Sequence, residues 1–292
     1  MAIHGLKDRD KTGPIIGLDH VIIGVKDLEG AREDYNRLGF VNAPLGDHQG
    51  RATANYCLMF PDTYLELLGV NQPDLDSGSL VENLERRGEG LQRVALGTPD
   101  ADAAKEQLGK HGVRTEDVRD LARPSKEPEG VVRFRNLFIP ADETAGLLLF
   151  LCGHKTPELM RTPAWMEHPN GARSFAGATA IVDDVDATLA ALARLFGEQY
   201  VLRTSYGAEI QTDRGTISVT KRDTFEGRHP GAATPDLPLP AWHALDIGVA
   251  DVTATAKYLE EAGIPVERPA KGIVRVGPDH ARGVLMEFVQ AS

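Results

Sequence analysis

The chain of 292 residues has 41% hydrophobic and 26% charged residues, the balance of a globular protein long enough for two ordinary domains. Its 32 Lys and Arg against 43 Asp and Glu give a net charge of −11, a surface that repels phosphate backbones and anionic membranes and argues against both as partners. The opening residues MAIHGLKDRDKTGPII place charges where a secretory segment needs apolar ones, and no apolar run is long enough to span a bilayer, so a cytoplasmic location is expected. Cys57 and Cys152 each sit inside an apolar run and read as two buried thiols.

Along the chain, four segments repeat one pattern: an apolar strand, an Asp, a helix rich in Ala and Leu, and a closing Gly. The first runs from His20 through Asp27 to Gly39, and the second from Arg93 through Asp100 to Gly112. The third runs from Gly177 through Asp184 to Gly197, and the fourth from Ala244 through Asp251 to Gly263. The separations from Asp to Gly are 12, 12, 13 and 12 residues, about three helical turns. Asp suits the first position because its carboxylate accepts the unpaired amides of a first helical turn. Gly suits the last because it takes positive φ without a Cβ clash.

Short β-like runs follow each helix and end in a last strand: Asp62 to Leu68, Gly146 to Cys152, Gly215 to Lys221 and Gly283 to Val289. The unit is therefore β-α-β-β-β. The expected class is α+β, with four βαβββ modules over 17–70, 91–153, 175–222 and 241–290 forming two curled-sheet halves. The division falls into a first domain 1–155, a linker 156–174 carrying Pro157, Pro163 and Pro169, and a second domain 175–292. Further linkers are expected from Asn71 to Gly90 and from Asp223 to Pro240.

Paired βαβββ units resemble the vicinal-oxygen-chelate superfamily, which holds glyoxalases, bleomycin-resistance proteins and extradiol dioxygenases. The stretches Leu18-Asp19-His20 and Tyr64-Leu65-Glu66 carry the likeness most clearly, with Thr53-Ala54-Asn55-Tyr56, His154 to Glu158 and His168 to Gly171 resembling its glyoxalase-like branch. The resemblance implies a divalent metal (Zn, Ni, Mn or Fe), with one ligand early on a unit's first strand and another on its last. Unit one has both, in His20 and Glu66. Unit two has Arg93 and Phe150 there, unit three Gly177 and Val219, and unit four Ala244 and Glu287 with His243 one residue early. On a regular strand that offset turns His243 to the opposite face.

His154 lies four residues after Phe150 and shares its face if the strand continues, so His20, Glu66 and His154 form a two-His-one-carboxylate set when units one and two pair. Pairing of units one and four gives His20, Glu66, Glu287 and His243 instead. The shorter connection favours the first arrangement. Glu66 and Glu287 are the candidate catalytic bases, and His48, Asn55 and Tyr56 the candidate substrate-binding residues. The expected function is a metal-dependent lyase or isomerase acting on a small molecule with adjacent oxygens. A metal-free binding protein of the bleomycin-resistance type, and an Fe(II) extradiol dioxygenase, are the competing readings. The partner expected is a small-molecule substrate, and a homodimer is compatible with the pattern.

Overall fold

The computed structural model describes residues 14–230 and 238–291. Unit one comprises β1 (Gly17–Gly24), α1 (Leu28–Arg37), β2 (Gly46–Asp47), β3 (Thr53–Met59) and β4 (Tyr64–Val70). A helix, α2 (Leu80–Arg87), occupies part of the expected first linker. Unit two comprises β5 (Gly90–Gly97), α3 (Ala101–Lys110), β6 (Arg119–Lys126), β7 (Glu129–Phe138) and β8 (Leu149–His154). Unit three comprises β9 (Ala172–Ile181), α4 (Val185–Phe196), β10 (Val201–Thr204), β11 (Gly207–Gln211) and β12 (Thr216–Thr220). After α5 (Arg222–Arg228), unit four has β13 (Ala241–Val249), α6 (Val252–Glu261), β14 (Ile273–Val276) and β15 (Leu285–Gln290). Its remaining expected strand is reduced to an isolated bridge between Glu267 and Arg275. Residues 231–237 of the third expected linker lie outside the described residues. No helix among the described residues is long and apolar enough to cross a membrane.

The Asp-to-Gly pattern has its expected cause. Asp27, Asp100, Asp184 and Asp251 each accept backbone amides of the helix they open. Gly39 and Gly263 close theirs at φ +84 and +73, a conformation an L side chain resists.

In every unit the first strand pairs in parallel with the last: β1 with β4, β5 with β8, β9 with β12, and β13 with β15. Antiparallel pairing of β1 with β5, and of β9 with β13, joins the units two by two. The results are an eight-stranded sheet ordered β2-β3-β4-β1-β5-β8-β7-β6 and a seven-stranded sheet ordered β10-β11-β12-β9-β13-β15-β14. The first curls until its edges, β2 and β6, approach each other. One apolar cluster runs through both halves, including Leu18, Val94, Phe175, Leu245 and Phe288.

The segment between the sheets is held by side chains. His168 Nδ1 accepts the amide of Val41 at 3.0 Å, while its Nε2 donates to the Met59 carbonyl at 2.9 Å, which fixes the tautomer. Asn170 donates to the Leu38 carbonyl and accepts the Ala172 amide. His168 and Asn170 are buried for this structural reason.

Candidate active site

The concave face of the first sheet encloses a cavity of about 410 Å³, a size suited to a small metabolite. Period-two alternation decides what reaches it. From β1 come His20 and Ile22, from β3 Asn55 and Cys57, from β4 Tyr64, Glu66 and Leu68, and from β8 Phe150 and Cys152. His48 joins them from the loop after β2.

His20 is the hub. Its Nδ1 lies 2.7 Å from Asp19 Oδ1, and its Nε2 lies 3.6 Å from Glu66 Oε2. Its ring stacks on Tyr64 at 4.2 Å and meets the edge of Phe150 at 5.5 Å, so its orientation is fixed on three sides. The other oxygen of Glu66 accepts from Asn55 Nδ2 at 2.7 Å. Asn55 Nδ2 is also 3.2 Å from His48 Nε2, and His48 Nδ1 is 2.8 Å from Thr53 Oγ1. Burial pushes the His48 pKa down despite the pull of Glu66, which favours a neutral ring. A polar chain therefore runs from the buried Asp19 along the cavity wall to Thr53.

Asp19 and His20 are adjacent yet converge, which a regular strand forbids. The register of β1 against β5 shifts between Leu18 and His20, leaving Asp19 as the extra residue of a bulge. Asp19 Oδ1 also faces His154 Nε2 at 3.0 Å, and Arg214, from the turn between β11 and β12, comes within 4.0 Å of its other oxygen. Burial alone would raise the Asp19 pKa. The charge of His154 and hydrogen bonds from both histidines outweigh that and hold it well below the usual carboxylate range.

Asp19, His20, Cys152 and His154 each bring one donor atom to within 4.8 Å of the others. A carboxylate, two imidazoles and a thiol make a donor set that fits a divalent transition metal. Burial pushes the Cys152 thiol up, with Asp19 and Glu66 adding to the effect, so it is neutral until a cation reverses that balance. Glu66 stands beside the cluster and reaches it through His20. His154 thus lies on the face expected from Phe150, but its ring addresses Asp19 rather than Glu66. Asp19 and Cys152 are the donors that sequence reasoning missed. A buried Asp inside the run Leu18 to Ile23 was the available signal, since such a group needs partners.

Three expected site residues are elsewhere. Tyr56 follows Asn55 and so points to the opposite face, where its hydroxyl donates to Glu29 of α1 at 2.6 Å. His243 and Glu287 belong to the second sheet and do not line the cavity around His20. His243 does reach the concave face of its own sheet, because β13 has a register shift between Trp242 and Ala244 that matches the one at Asp19. That face is filled: Phe225 of α5 packs against Ile181, Ala244 and Leu285, with the His243 ring edge-on at 5.1 Å. Glu287 is held at Oε1 by Arg275 Nε and Nη2, at 2.9 and 2.8 Å.

Beside this pair, burial and then the charge of Glu287 raise the Asp246 pKa to about 7. The unfolded chain releases that proton near the ordinary value of about 3.9, so stability falls as pH rises between about 4 and 7. Because the residue as a whole is only part-buried, the full linkage value is discounted and Asp246→Asn is expected to stabilise the protein by about 2 kcal/mol at pH 8 and negligibly at pH 4, read by urea unfolding at both. Equal effects at the two pH values would refute this.

A glyoxalase-like domain family matches residues 18–196. Among solved structures, a hypothetical protein from Staphylococcus aureus is similar at TM-score 0.66 and 14% identity, over 94% of this chain and 98% of its own. A xylose isomerase-like TIM barrel/4-hydroxyphenylpyruvate dioxygenase fusion protein is similar at 0.61 and 16%, over 99% of this chain and 51% of its own. A mutant of 4-hydroxymandelate synthase from Streptomyces coelicolor is similar at 0.59 and 13%, over 95% and 93%. At these identities the structural likeness speaks for the fold alone. A search of curated proteins finds no match. With four βαβββ-type units in two curled sheets and a family match over most of its length, the chain belongs to the glyoxalase-like domain family of the vicinal-oxygen-chelate superfamily.

Proposed function

We propose that the first-sheet cavity is the active site of a metal-dependent lyase or isomerase acting on a small molecule with two adjacent oxygens. The observation that carries this reading is Glu66, a buried carboxylate with one oxygen held by Asn55 and the other facing the His20 ring, next to four convergent donors. In this reading Asp19, His20, Cys152 and His154 hold the divalent ion. When bound, the ion supplies Lewis-acid polarisation of the substrate oxygens. Glu66 Oε2 takes the proton from the carbon beside those oxygens and returns it to a neighbouring atom. Asn55 keeps the carboxylate aimed during both transfers, and His48 limits rotation of the Asn55 amide. The apolar walls formed by Ile22, Leu68 and Phe150 exclude water from the carbanionic state.

The test uses chelator-stripped protein reloaded with Zn, Ni, Mn or Fe(II), in heavy water, with small α-hydroxy ketones and 2-oxo acids. Proton NMR reads exchange of the C–H beside the oxygens. Metal-dependent exchange is expected, falling by about 100-fold or more in Glu66→Gln. Undiminished exchange in that variant would rule Glu66 out as base. Oxygen consumption without exchange would favour the dioxygenase reading.

A further inference from the structure

The cavity carries a charge opposite to that of the protein. Four arginines line it, Arg51, Arg93, Arg119 and Arg123, against two acids, Glu66 and Asp76, in a chain of net charge −11. Arg51 is spent on Asp76. Arg123 lies across the seam against Gly46, where an added Cβ would come within 2.2 Å of its Nη1. Arg93 differs from both. It projects from β5 at a position where a metal-using unit carries a ligand, and among the described residues no carboxylate comes within ion-pairing distance of it. Its guanidinium lies 5.7 Å from the Phe138 ring and 5.9 Å from the Phe150 ring. Arg119 also lies over Phe138, its guanidinium 4.9 Å from that ring's centroid, with its own charge met by Glu116.

A half-buried guanidinium with no carboxylate at ion-pairing distance, only Glu116 acting from further off while paired with Arg119, is backed by aromatic rings, opens on a cavity and is built to receive an anion. One residue adjoins both ends: the Phe150 ring centroid lies 5.5 Å from that of His20, in a T-shaped arrangement, and 5.9 Å from the Arg93 guanidinium. Phe134 and Phe138 continue the apolar wall between them, and Phe138 stacks on Phe150 at 5.2 Å.

We infer that the substrate is a compact carboxylate with a flat apolar body, its anionic group on Arg93 and its pair of adjacent oxygens at the opposite end, beside His20 and Glu66. The placement of the oxygens rests on the function proposed above, whereas the anion site at Arg93 does not.

The experiment separates the two. Isothermal titration of metal-free protein with benzoate and with benzamide probes the anion site alone. Benzoate is expected to bind, and benzamide, which has the same shape without the charge, at least about tenfold more weakly. Arg93→Met is expected to weaken benzoate by about tenfold or more and leave benzamide unchanged, with Arg93→Lys falling between because it keeps charge but loses the planar fork. Arg203→Met, on the second sheet, serves as the control and retains wild-type binding. Equal binding of benzoate and benzamide, or undiminished benzoate binding by both Arg93 variants, overturns the inference. 3,4-Dihydroxybenzoate, with its oxygens opposite the carboxylate, is expected to gain affinity on metal loading. Arg93-dependent benzoate binding without that gain would leave the anion site standing and count against the metal reading.

Discussion

Replacing His20 by alanine is expected to lower the affinity for divalent metal by at least about 100-fold, the upper figure measured for outer-shell partners elsewhere. His20 stands between the two parts of the site, at 2.7 Å from Asp19 and 3.6 Å from Glu66. Its removal takes away one of the four convergent donors and breaks the contact between that cluster and Glu66. The fold should survive, because Asp19 keeps His154 as a partner and Tyr64 keeps its edge contact with the same ring. Competition against a chromophoric chelator measures the affinity, and thermal unfolding of the metal-free variant checks the fold. A variant that binds metal as tightly as the parent would remove His20 from the site.

The largest stability effect is expected far from the cavity. Arg275 is 1% exposed, donates one hydrogen bond to Glu287 with a second ion-pair contact at 2.8 Å, and donates another to Glu267 at 3.1 Å. Arg275→Met leaves Glu287 buried with only the His229 ring, 3.7 Å from its other oxygen and itself disfavoured as a cation by burial, beside an Asp246 that already resists ionisation. Breaking such a pair costs about 3–5 kcal/mol, on the order of 10 °C in Tm for a chain of this size. The double variant Arg275→Met with Glu287→Leu should recover most of it, because an apolar pair of similar volume carries no desolvation penalty. Failure of the double variant to recover would mean that Arg275 supports the second sheet through packing alone.

Much of the architecture was legible because it depends on local chemistry repeated four times. Asp at a helix start and Gly at its end are backbone requirements, and they returned at nearly constant spacing. The convergence of His20 and Glu66 followed from strand parity within unit one. Parity also held the answer for Tyr56: neighbours on a strand cannot share a face, so Asn55 in the cavity puts Tyr56 outside it. What parity could not supply was the bulge. A one-residue insertion in the ladder brings Asp19 round to His20 and His154, and the matching irregularity turns His243 inward.

The difference between the halves was hidden for another reason. Whether Glu287 is a free carboxylate depends on Arg275, which lies opposite it on the antiparallel neighbour β14. Whether the second concave face is open depends on Phe225, carried by a helix within a stretch that reads as a linker. Both are pairings between distant segments, invisible to any local pattern. They leave an open, polar first cavity and a second one closed by an internal ion pair and an aromatic plug.

Metal analysis of the wild-type protein, purified without chelator and compared with His20→Ala and Glu287→Gln, decides whether the first-sheet cavity holds an ion. One divalent ion per chain is expected in the wild type and in Glu287→Gln, and a loss of that ion in His20→Ala. Wild-type protein that takes up no ion on reloading, or an ion lost in Glu287→Gln and kept in His20→Ala, would contradict a metal site in the first-sheet cavity.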